Sequence, residues 1–492
     1  MNILLQGSKI VDFRQGVPNH SNSSGSLLRL LFSILTFAAL ILTAGPLLAQ
    51  DVADPATPPP MPQETFWDRF WVSFQANFIR QQHGAFDAKY SGGNSFGSDK
   101  EHATSRVETL YTGFRIFDRL EILADVESAG GAGLSNALGV AGFTNVDVVR
   151  NPTLGEAPYV SRVMLHYTIP IGKETTEATR NPLSLASTVP ERRLELRVGK
   201  MSTVDFFDLN SAGSDSHLQF MNWAAVNNGA FDYAADTRGY TYGFVAEYYD
   251  KTWAARFGEM LMPTVANGIT LDWNIARARG ENFEFEFHPV LLPKHATTVR
   301  PLAFVNHANM GNYREAINGY LSGKDAVPDV TLYRKQGTVK YGFGLNAEQE
   351  LTSLWRVFGR LGWNDGTNES YAYTEIDRTA QIGTDVRGKL WHRSQDKVGA
   401  TYIANGISGD HRRYLALGGY GFILGDGGLN YGLEKIFEMY YTAHVWRGIS
   451  VATDYQNVTN PGYNRDRGPA NVLSFRIHVE DAIPFDKFGK GN

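Results

Sequence analysis

The sequence contains no cysteine among its 492 residues, which excludes disulfide bonds and thiolate metal sites. Long apolar runs are almost absent as well, since residues 27–48 form the only one. No later stretch reaches the ~20 apolar residues that a membrane-spanning helix requires. The sequence beyond residue 49 therefore predicts no helical membrane protein.

An excess of positive charge is also lacking, because Lys and Arg number 46 against 51 Asp and Glu. Residues 1–49 hold three of the basic residues and one of the acidic residues, which leaves 43 basic and 50 acidic residues and a formal net charge of −7. Nucleic-acid-binding proteins present a basic patch or stripe. We therefore expect no nucleic-acid partner.

What the sequence does contain, from residue 66 to residue 480, is an alternation of apolar and polar residues. Residues 193–198, 282–288 and 473–480 each place apolar side chains on one face and charged or polar side chains on the other. A soluble β-sandwich would also alternate. The number of such segments, the secretion signal before them and the aromatic residues near their ends favour a membrane barrel, whose apolar face meets lipid. The sequence predicts an all-β fold, a transmembrane antiparallel β-barrel.

The N-terminal residues 1–49 are typical of a secretory signal peptide, with an apolar run that ends in small residues and cleavage predicted after Ala49. An uncleaved membrane anchor is the alternative. Residues 50–65 form a proline-rich spacer that we expect to be extended and periplasmic. The barrel is predicted over residues 66–480, and a C-terminal tail over residues 481–492.

Alternation bounded by Gly, Asn, Asp and Pro predicts about sixteen strands. They lie near residues 72–80, 105–117, 119–128, 160–170, 191–200, 240–250, 252–260, 281–289, 299–307, 337–350, 353–364, 396–404, 413–422, 436–446, 448–457 and 470–480. Their connections include tight turns at residues 116–120, 249–252 and 446–449, and long loops over residues 129–159, 201–239 and 365–395. Short periplasmic turns and long extracellular loops are typical of outer-membrane barrels. The aromatic residues near strand ends, which favour the lipid–water interface, are Trp253, Trp355, Trp363, Tyr402, Tyr414, Tyr441 and Trp446.

Catalytic motifs are not convincing. Residues 93–97 match the G-x-S-x-G pattern of serine hydrolases, but they lie in a polar stretch without the strand and helix that a nucleophile elbow needs. The sequence contains no H-E-x-x-H, Walker or dinucleotide-binding pattern. We expect no enzyme, no cofactor and no bound metal.

One polar segment combines several carboxylates with an amide. After a predicted strand, a single loop gathers Asp205, Asp208, Asn210 and Asp215. Carboxylates and amides hydrogen-bond to sugar hydroxyls, and aromatic rings offer flat faces to sugar rings. A solvated acidic loop, a loop folded on itself by side-chain to backbone bonds, and a calcium site remain open as alternatives.

Residues 199–239, with Gln-Phe-Met-Asn-Trp at 219–223, resemble the signature of the carbohydrate-selective porins of Gram-negative outer membranes (the OprB type). Blocks within residues 109–145 and 438–478 extend the resemblance in the expected order. The resemblance implies a sixteen-stranded barrel in outer-membrane lipid that admits carbohydrate solutes by passive diffusion, without catalysis or energy coupling. Such barrels usually end on an aromatic residue that the barrel assembly machinery reads, whereas Phe485 and Phe488 lie inside a tail that ends at Asn492. Whether copies associate into a homo-oligomer is left open.

Strand parity predicts which side chains line the lumen. They are Arg193, Glu195, Arg197, Asp125, Glu127, Arg356, Arg360, Asp454 and Gln456. A lumen lined by both signs of charge favours neutral, hydroxyl-rich solutes. The same charges would also suit ion pairs that brace the barrel wall.

The loop over residues 205–238 is predicted to fold into the bore and to select the solute, because long loops in compact folds are usually functional. Its hydrogen-bonding and ring-bearing residues are Asp205, Asp208, Asn210, Asp215, Trp223 and Arg238. The alternative function is a barrel component of polysaccharide export or anchoring, and an outer-membrane lipase ranks third. A pore would conduct, an export component would be plugged, and a lipase would release fatty acid.

Overall fold

A computed structural model of the protein describes residues 66–148 and 154–483. In it, sixteen antiparallel strands close into one barrel, and the first strand pairs with the last. The predicted fold class is confirmed. The predicted signal peptide, the spacer and most of the predicted tail, residues 484–492, lie outside the described residues.

The strands are β1 (Phe70–His83), β2 (Glu101–Phe117), β3 (Leu120–Gly131), β4 (Tyr159–Pro170), β5 (Thr175–Glu177), β6 (Thr188–Pro190), β7 (Arg193–Met201), β8 (Thr241–Tyr249), β9 (Trp253–Leu261), β10 (Arg279–Phe287), β11 (Thr297–Gly311), β12 (Arg334–Thr352), β13 (Trp355–Asn364), β14 (Arg378–Arg387), β15 (Lys397–Gly406), β16 (Glu434–Trp446), β17 (Ile449–Thr459) and β18 (Ala470–Ala482). The strands β5 and β6 pair with each other outside the barrel. Strand β18 continues past Glu480, and Asp481 and Ala482 pair with β1.

Short helices occupy parts of the connections. The α-helices are Trp223–Val226, Tyr313–Leu321 and Gly409–Ala416, and the 3₁₀ helices are Phe66–Arg69, Leu134–Ala137, Thr203–Asp205, Val330–Tyr333, Gly388–Trp391 and Pro461–Tyr463. Among the described residues, no helix has the length and apolar character needed to cross a membrane.

The two faces of the strands differ as the alternation predicts. In β3, Asp125 is 1% exposed whereas its neighbour Val126 is 41% exposed. In β10, Glu284 is 1% exposed and Phe285 49%. Apolar side chains point out of the barrel and charged side chains point in, the arrangement of a barrel whose outer face meets lipid.

All predicted strands but one coincide with barrel strands. The prediction for residues 413–422 is wrong, because Ser408 caps the helix Gly409–Ala416 by accepting a hydrogen bond from the backbone N–H of His411. Tyr414, predicted to lie at the membrane interface, is buried in that helix. The missed strand is β14, which lies inside the predicted loop 365–395. Its outward face carries few large apolar residues, so its alternation is faint.

The connections separate the barrel into two ends. One end, the turn rim, holds residues 118–119, 171–192, 250–252, 288–296, 353–354, 388–396 and 447–448. The other end, the loop rim, holds residues 84–100, 132–148, 154–158, 202–240, 262–278, 312–333, 365–377, 407–433 and 460–469. The three predicted tight turns are confirmed. Residues 171–192 are an exception to the short turns, since they contain the β5–β6 hairpin.

Candidate functional site

The loop of residues 202–240, which joins β7 to β8, crosses the barrel interior. Glu438 in β16 accepts hydrogen bonds from the backbone N–H groups of Met221 (2.5 Å) and Asn222 (3.3 Å). Arg476 in β18 donates to the carbonyl oxygens of Ser216 (2.8 Å) and Gln219 (3.0 Å). These strands stand far from β7 and β8 in the barrel order. The predicted infolding of the loop is confirmed.

Local hydrogen bonds give the loop its shape. Ser202 and Asp205 form a capping box around the 3₁₀ helix Thr203–Asp205. Asp215 accepts from the N–H groups of His217 and Leu218, both at 3.0 Å. Asn222 caps the helix that begins at Trp223. Part of the loop is therefore folded on itself, as one of the alternatives proposed.

Asp208 and Asn210 fasten the loop to the wall opposite. The carboxylate of Asp208 contacts the guanidinium of Arg360 at 3.1 Å and accepts the backbone N–H of Asn228 at 2.6 Å. The side chain of Asn210 donates to Asn346 in β12 at 2.7 Å. Asp208, Asn210 and Arg360 are buried among protein groups.

Two further loops pack on the same loop inside the barrel. The indole N–H of Trp223 donates to the carbonyl of Asn145 at 2.9 Å, and the side chain of Asn222 donates to the carbonyl of Gly142 at 2.7 Å. The ring of Tyr373 stacks on Trp223, with ring centroids 5.4 Å apart and an interplanar angle of 7°. Residues 132–148, 202–240 and 365–377 thus share one apolar core within the lumen.

A cavity of about 290 Å³ remains between these loops and one quarter of the barrel wall. This volume is close to the lower end of the range for small-molecule pockets, roughly 300–1,000 Å³. The strand residues that line the cavity all belong to β1–β4. They are Gln75, Val107, Tyr111, Glu127, Ala129, Tyr159 and Arg162.

Aromatic rings cover much of the cavity. Those from the wall are Tyr111 and Tyr159, and those from the loops are Trp223, Tyr233, Tyr240 and Tyr373. Such rings combine apolar faces with hydroxyl or N–H groups at their edges. The cavity therefore offers both ring surfaces and hydrogen-bonding groups.

Charged groups of both signs lie between the rings. Asp205 binds the guanidinium of Arg162 through both carboxylate oxygens, at 2.7 and 2.6 Å. Asp147 faces His217 at 3.5 Å. Burial alone would raise the pKa of Asp147 and lower the pKa of His217. Their mutual attraction reverses both effects, so the pKa of Asp147 lies below and the pKa of His217 above its usual value. Burial raises the pKa of Asp236.

Arg238 separates the cavity from a smaller pocket of about 70 Å³ toward the loop rim. Its guanidinium lies 3.8 Å from the ring centroid of Tyr159 and donates to the carbonyl of Gly155 at 3.2 Å. Glu127 accepts from the hydroxyls of Tyr159 and Tyr240. Of the predicted site residues, Glu127, Asp205, Trp223 and Arg238 line the cavity.

Most of the other predicted lumen residues take part in polar contacts along the wall. Acidic side chains alternate with one histidine and several arginines from β3 to β12, each in contact with the next, and we call this array the charge belt. It runs through Glu121, His166, Glu195, Arg197, Glu247, Arg256, Glu286, Arg300 and Glu348. Arg193 joins it at Glu195, at 2.5 Å. These contacts fit the alternative in which the charges brace the wall.

The remaining predicted residues also point inward and have partners. Asp125 contacts Arg162 at 3.2 Å, and Arg356 binds Asp385. Gln456 donates to Asp454 at 3.1 Å. Of these side chains, only Arg162 lines the cavity.

The predicted lumen residues include none from β4, whose alternation is interrupted by a bulge. Asp125 pairs with Arg162 whereas Val126 pairs with Val160, so Ser161 is an extra residue. A bulge of this kind changes which later residues face inward. Tyr159, at the start of β4, was missed as well. Tyr233, Tyr373, Asp147 and His217 were missed because no local pattern shows which loop residues meet.

The fold and the lumen are those of an outer-membrane channel, and comparison with known proteins gives its family. The family model for the carbohydrate-selective porin, OprB family, matches residues 102–480, and the chain belongs to this family. It is an outer-membrane β-barrel porin, a channel rather than an enzyme. Comparison with curated protein sequences finds no match.

A solved porin structure supports the fold. The chain is similar to the high-pH structure of Pseudomonas putida OprB, with a TM-score of 0.64 and 14% identity, over 84% of this chain and 94% of that one. Weaker similarity links it to the outer membrane channel DcaP of Acinetobacter baumannii, with a TM-score of 0.44 and 9% identity, over 84% of this chain and 96% of that one. Pseudomonas aeruginosa opdK matches with a TM-score of 0.41 and 9% identity, over 85% of this chain and all of that one.

The described residues contain no cluster of three or more His, Asp or Glu side chains arranged to hold a metal ion. The cavity can bind a small polar solute between its aromatic rings and its fixed hydrogen-bonding groups.

Proposed function

We propose that sugars diffuse through this porin by way of the cavity on the β1–β4 wall, and that the cavity selects them. The supporting observation is the lining itself, in which six aromatic rings lie among carboxylates, two guanidinium groups and an imidazole. A sugar ring has apolar faces and a hydroxyl edge, so it exchanges water for this lining at little cost.

The cavity favours neutral solutes over ions. Asp205 and Arg162 neutralise each other, and Asp147 faces a His217 whose raised pKa keeps more of it charged. A monovalent solute of either sign would therefore meet little uncompensated charge in these two pairs. We expect assembly to depend on the barrel assembly machinery, and we make no proposal on the number of associated copies.

The test is the substitution Asp205→Asn, studied by sugar block of the ionic current in planar bilayers. Loss of a net hydrogen bond of about 1.4 kcal/mol corresponds to a tenfold weaker block. Because Arg162 then keeps only Asp125 as a carboxylate partner, anion conductance should rise. The control is Asp410→Asn, whose partner Arg314 lies exposed in another part of the loop rim.

Unchanged block and ion selectivity in Asp205→Asn would contradict the proposal. Selection would then have to be sought at wall residues such as Arg193, Arg197 and Arg360. Altered electrophoretic mobility on boiling, which reports a closed barrel, checks that each variant is folded.

A further inference from the structure

A pair of histidines joins the β7–β8 loop to the last barrel strand. The ring of His217 in the loop stacks on the ring of His478 in β18, with ring centroids 5.3 Å apart and an interplanar angle of 19°. His217 lines the cavity and its side chain is 25% exposed, whereas His478 is buried. His217 is therefore the member of the pair that a solute in the cavity can reach.

Backbone contacts on both sides hold His217 in place. Asp215 accepts the backbone N–H of His217 at 3.0 Å, and Arg476 of β18 donates to the carbonyl oxygens of Ser216 and Gln219. The flanking chain is thus fastened to the barrel wall, and the imidazole keeps a fixed position at the cavity. Groups that are fixed before binding lose little conformational freedom when a solute binds to them.

In the part of the chain that the structure describes, only one of the two ring nitrogens of His217 has a polar partner. Its Nε2 atom faces the carboxylate of Asp147 at 3.5 Å. The other nitrogen, Nδ1, makes no hydrogen bond to the described residues and is open to solvent. An imidazole nitrogen can donate or accept a hydrogen bond, so Nδ1 is available to a sugar hydroxyl.

Strand register places the histidine pair on the side of the cavity that faces the turn rim. Gln75 of β1, which lines the cavity, pairs with Glu480 of β18. Glu480 lies close to Ala482, where β18 ends at the turn rim, and its side chain is 59% exposed. His478 contacts the carboxylate of Glu480 at 3.6 Å. His217, stacked on His478, therefore lies between the cavity and an exposed group near the turn rim.

We propose that His217 is a specificity-determining residue of the channel, because its Nδ1 atom binds a hydroxyl group of the sugar on the side of the cavity that faces the turn rim. The inference rests on the route through the cavity given under Proposed function. It adds a contact of a different kind from the pair of Asp205 and Arg162. Those two side chains hydrogen-bond to each other, whereas Nδ1 keeps its hydrogen-bonding capacity for the solute.

The first test is His217→Phe, which keeps a flat ring against His478 and removes both ring nitrogens. Loss of one net hydrogen bond should make sugar block of the ionic current about threefold to tenfold weaker. His217→Gln, which keeps an amide donor and acceptor, should retain more of the block than His217→Phe. The matched control is His444→Phe, because His444 is a half-buried histidine of β16 that does not line the cavity. It should show the block of the parent.

A second measurement asks whether sugar and residue 217 meet. The chain contains no cysteine, so His217→Cys introduces a single thiol. A charged methanethiosulfonate reagent should react with this thiol and lower the current. A sugar present at about ten times its dissociation constant should slow the reaction about tenfold, because it occupies the same site. In His444→Cys, the sugar should not change the rate of reaction.

Mobility that changes on boiling shows that each variant forms a closed barrel. In folded variants, parent block in His217→Phe, an unreactive thiol at residue 217, or a reaction rate that sugar does not change would each overturn the inference. If Asp205→Asn still weakens sugar block in that case, the role of His217 fails while the proposed function stands. If Asp205→Asn also leaves the block unchanged, the proposed function fails with it.

Discussion

A single histidine joins three loops at the loop rim. His411 lies with its Nδ1 atom 3.2 Å from Asp377 and its Nε2 atom 3.7 Å from Glu375. Its ring stacks on Tyr313, in the loop between β11 and β12, at a centroid distance of 4.4 Å. Burial alone would lower the pKa of His411, but the two carboxylates raise it to about 9.

The raised pKa predicts how these loops respond to pH. An unfolded histidine has a pKa of about 6.5. The stabilisation from charged His411 is therefore complete below pH 6.5 and is lost as the pH rises through about 9. We expect backbone amides of residues 312–333 and 407–433 to exchange hydrogen faster, after correction for intrinsic rates, at pH 10 than at pH 7.

His411→Gln should show the faster exchange already at pH 7 and lose the dependence on pH. His295→Gln, at the turn rim, is the control and should match the parent. Equal corrected rates in the parent at both pH values would show that His411 does not hold the loops.

At the scale of elements, the loops inside the barrel are held by buried carboxylates that accept several backbone N–H groups. Glu434 accepts from Ala141, Gly142 and Gly462. Asp232 accepts from the three consecutive N–H groups of residues 371–373. A buried N–H group without a partner costs about 1–3 kcal/mol. Each such carboxylate therefore fixes one loop against another, or against the wall.

Asp232→Ala should loosen the loop that forms one side of the cavity. It removes the three N–H contacts and the ion pair with Lys340 at 3.1 Å, and breaking a buried ion pair costs about 3–5 kcal/mol. We expect larger and noisier single-channel currents from a barrel that still closes. Asp325→Ala is the control, because Asp325 accepts the hydroxyl of Tyr333 within its own loop. Quiet currents of parent size in Asp232→Ala would show that the loop is held by other contacts.

Elements with a clear apolar face could be predicted from the sequence, because contact with lipid imposes period-two alternation. That pattern predicts β10 and β18 and the inward orientation of Glu195. It fails for β14, whose outward face is only weakly apolar, and for residues 413–422, whose apolar side chains pack inside a loop. The alternation is also interrupted at the bulge in β4, where the adjacent residues Ser161 and Arg162 both lie on the inward side.

The candidate site could be predicted only in part. Local sequence points to the acidic loop, and Asp205, Trp223 and Arg238 do line the cavity. It does not distinguish Asp205 from Asp208, which is buried against Arg360. That difference depends on which distant strand each residue meets, and tertiary packing alone decides it.

At the scale of the whole molecule, one feature of the barrel interior braces the wall and another provides the path for the solute. The charge belt runs along the wall from β3 to β12, while the cavity lies along β1–β4. Because the loops fill much of the rest of the lumen, the path left for a solute is narrow. The account therefore predicts a channel with small openings and a sharp dependence on solute size.

Swelling of liposomes that contain the purified protein, compared across sugars of graded size, tests this account most directly. We predict fast swelling in monosaccharides, slower swelling in disaccharides, and a rate close to that of empty liposomes for the largest oligosaccharides. Swelling rates equal to those of empty liposomes for every monosaccharide would contradict the account.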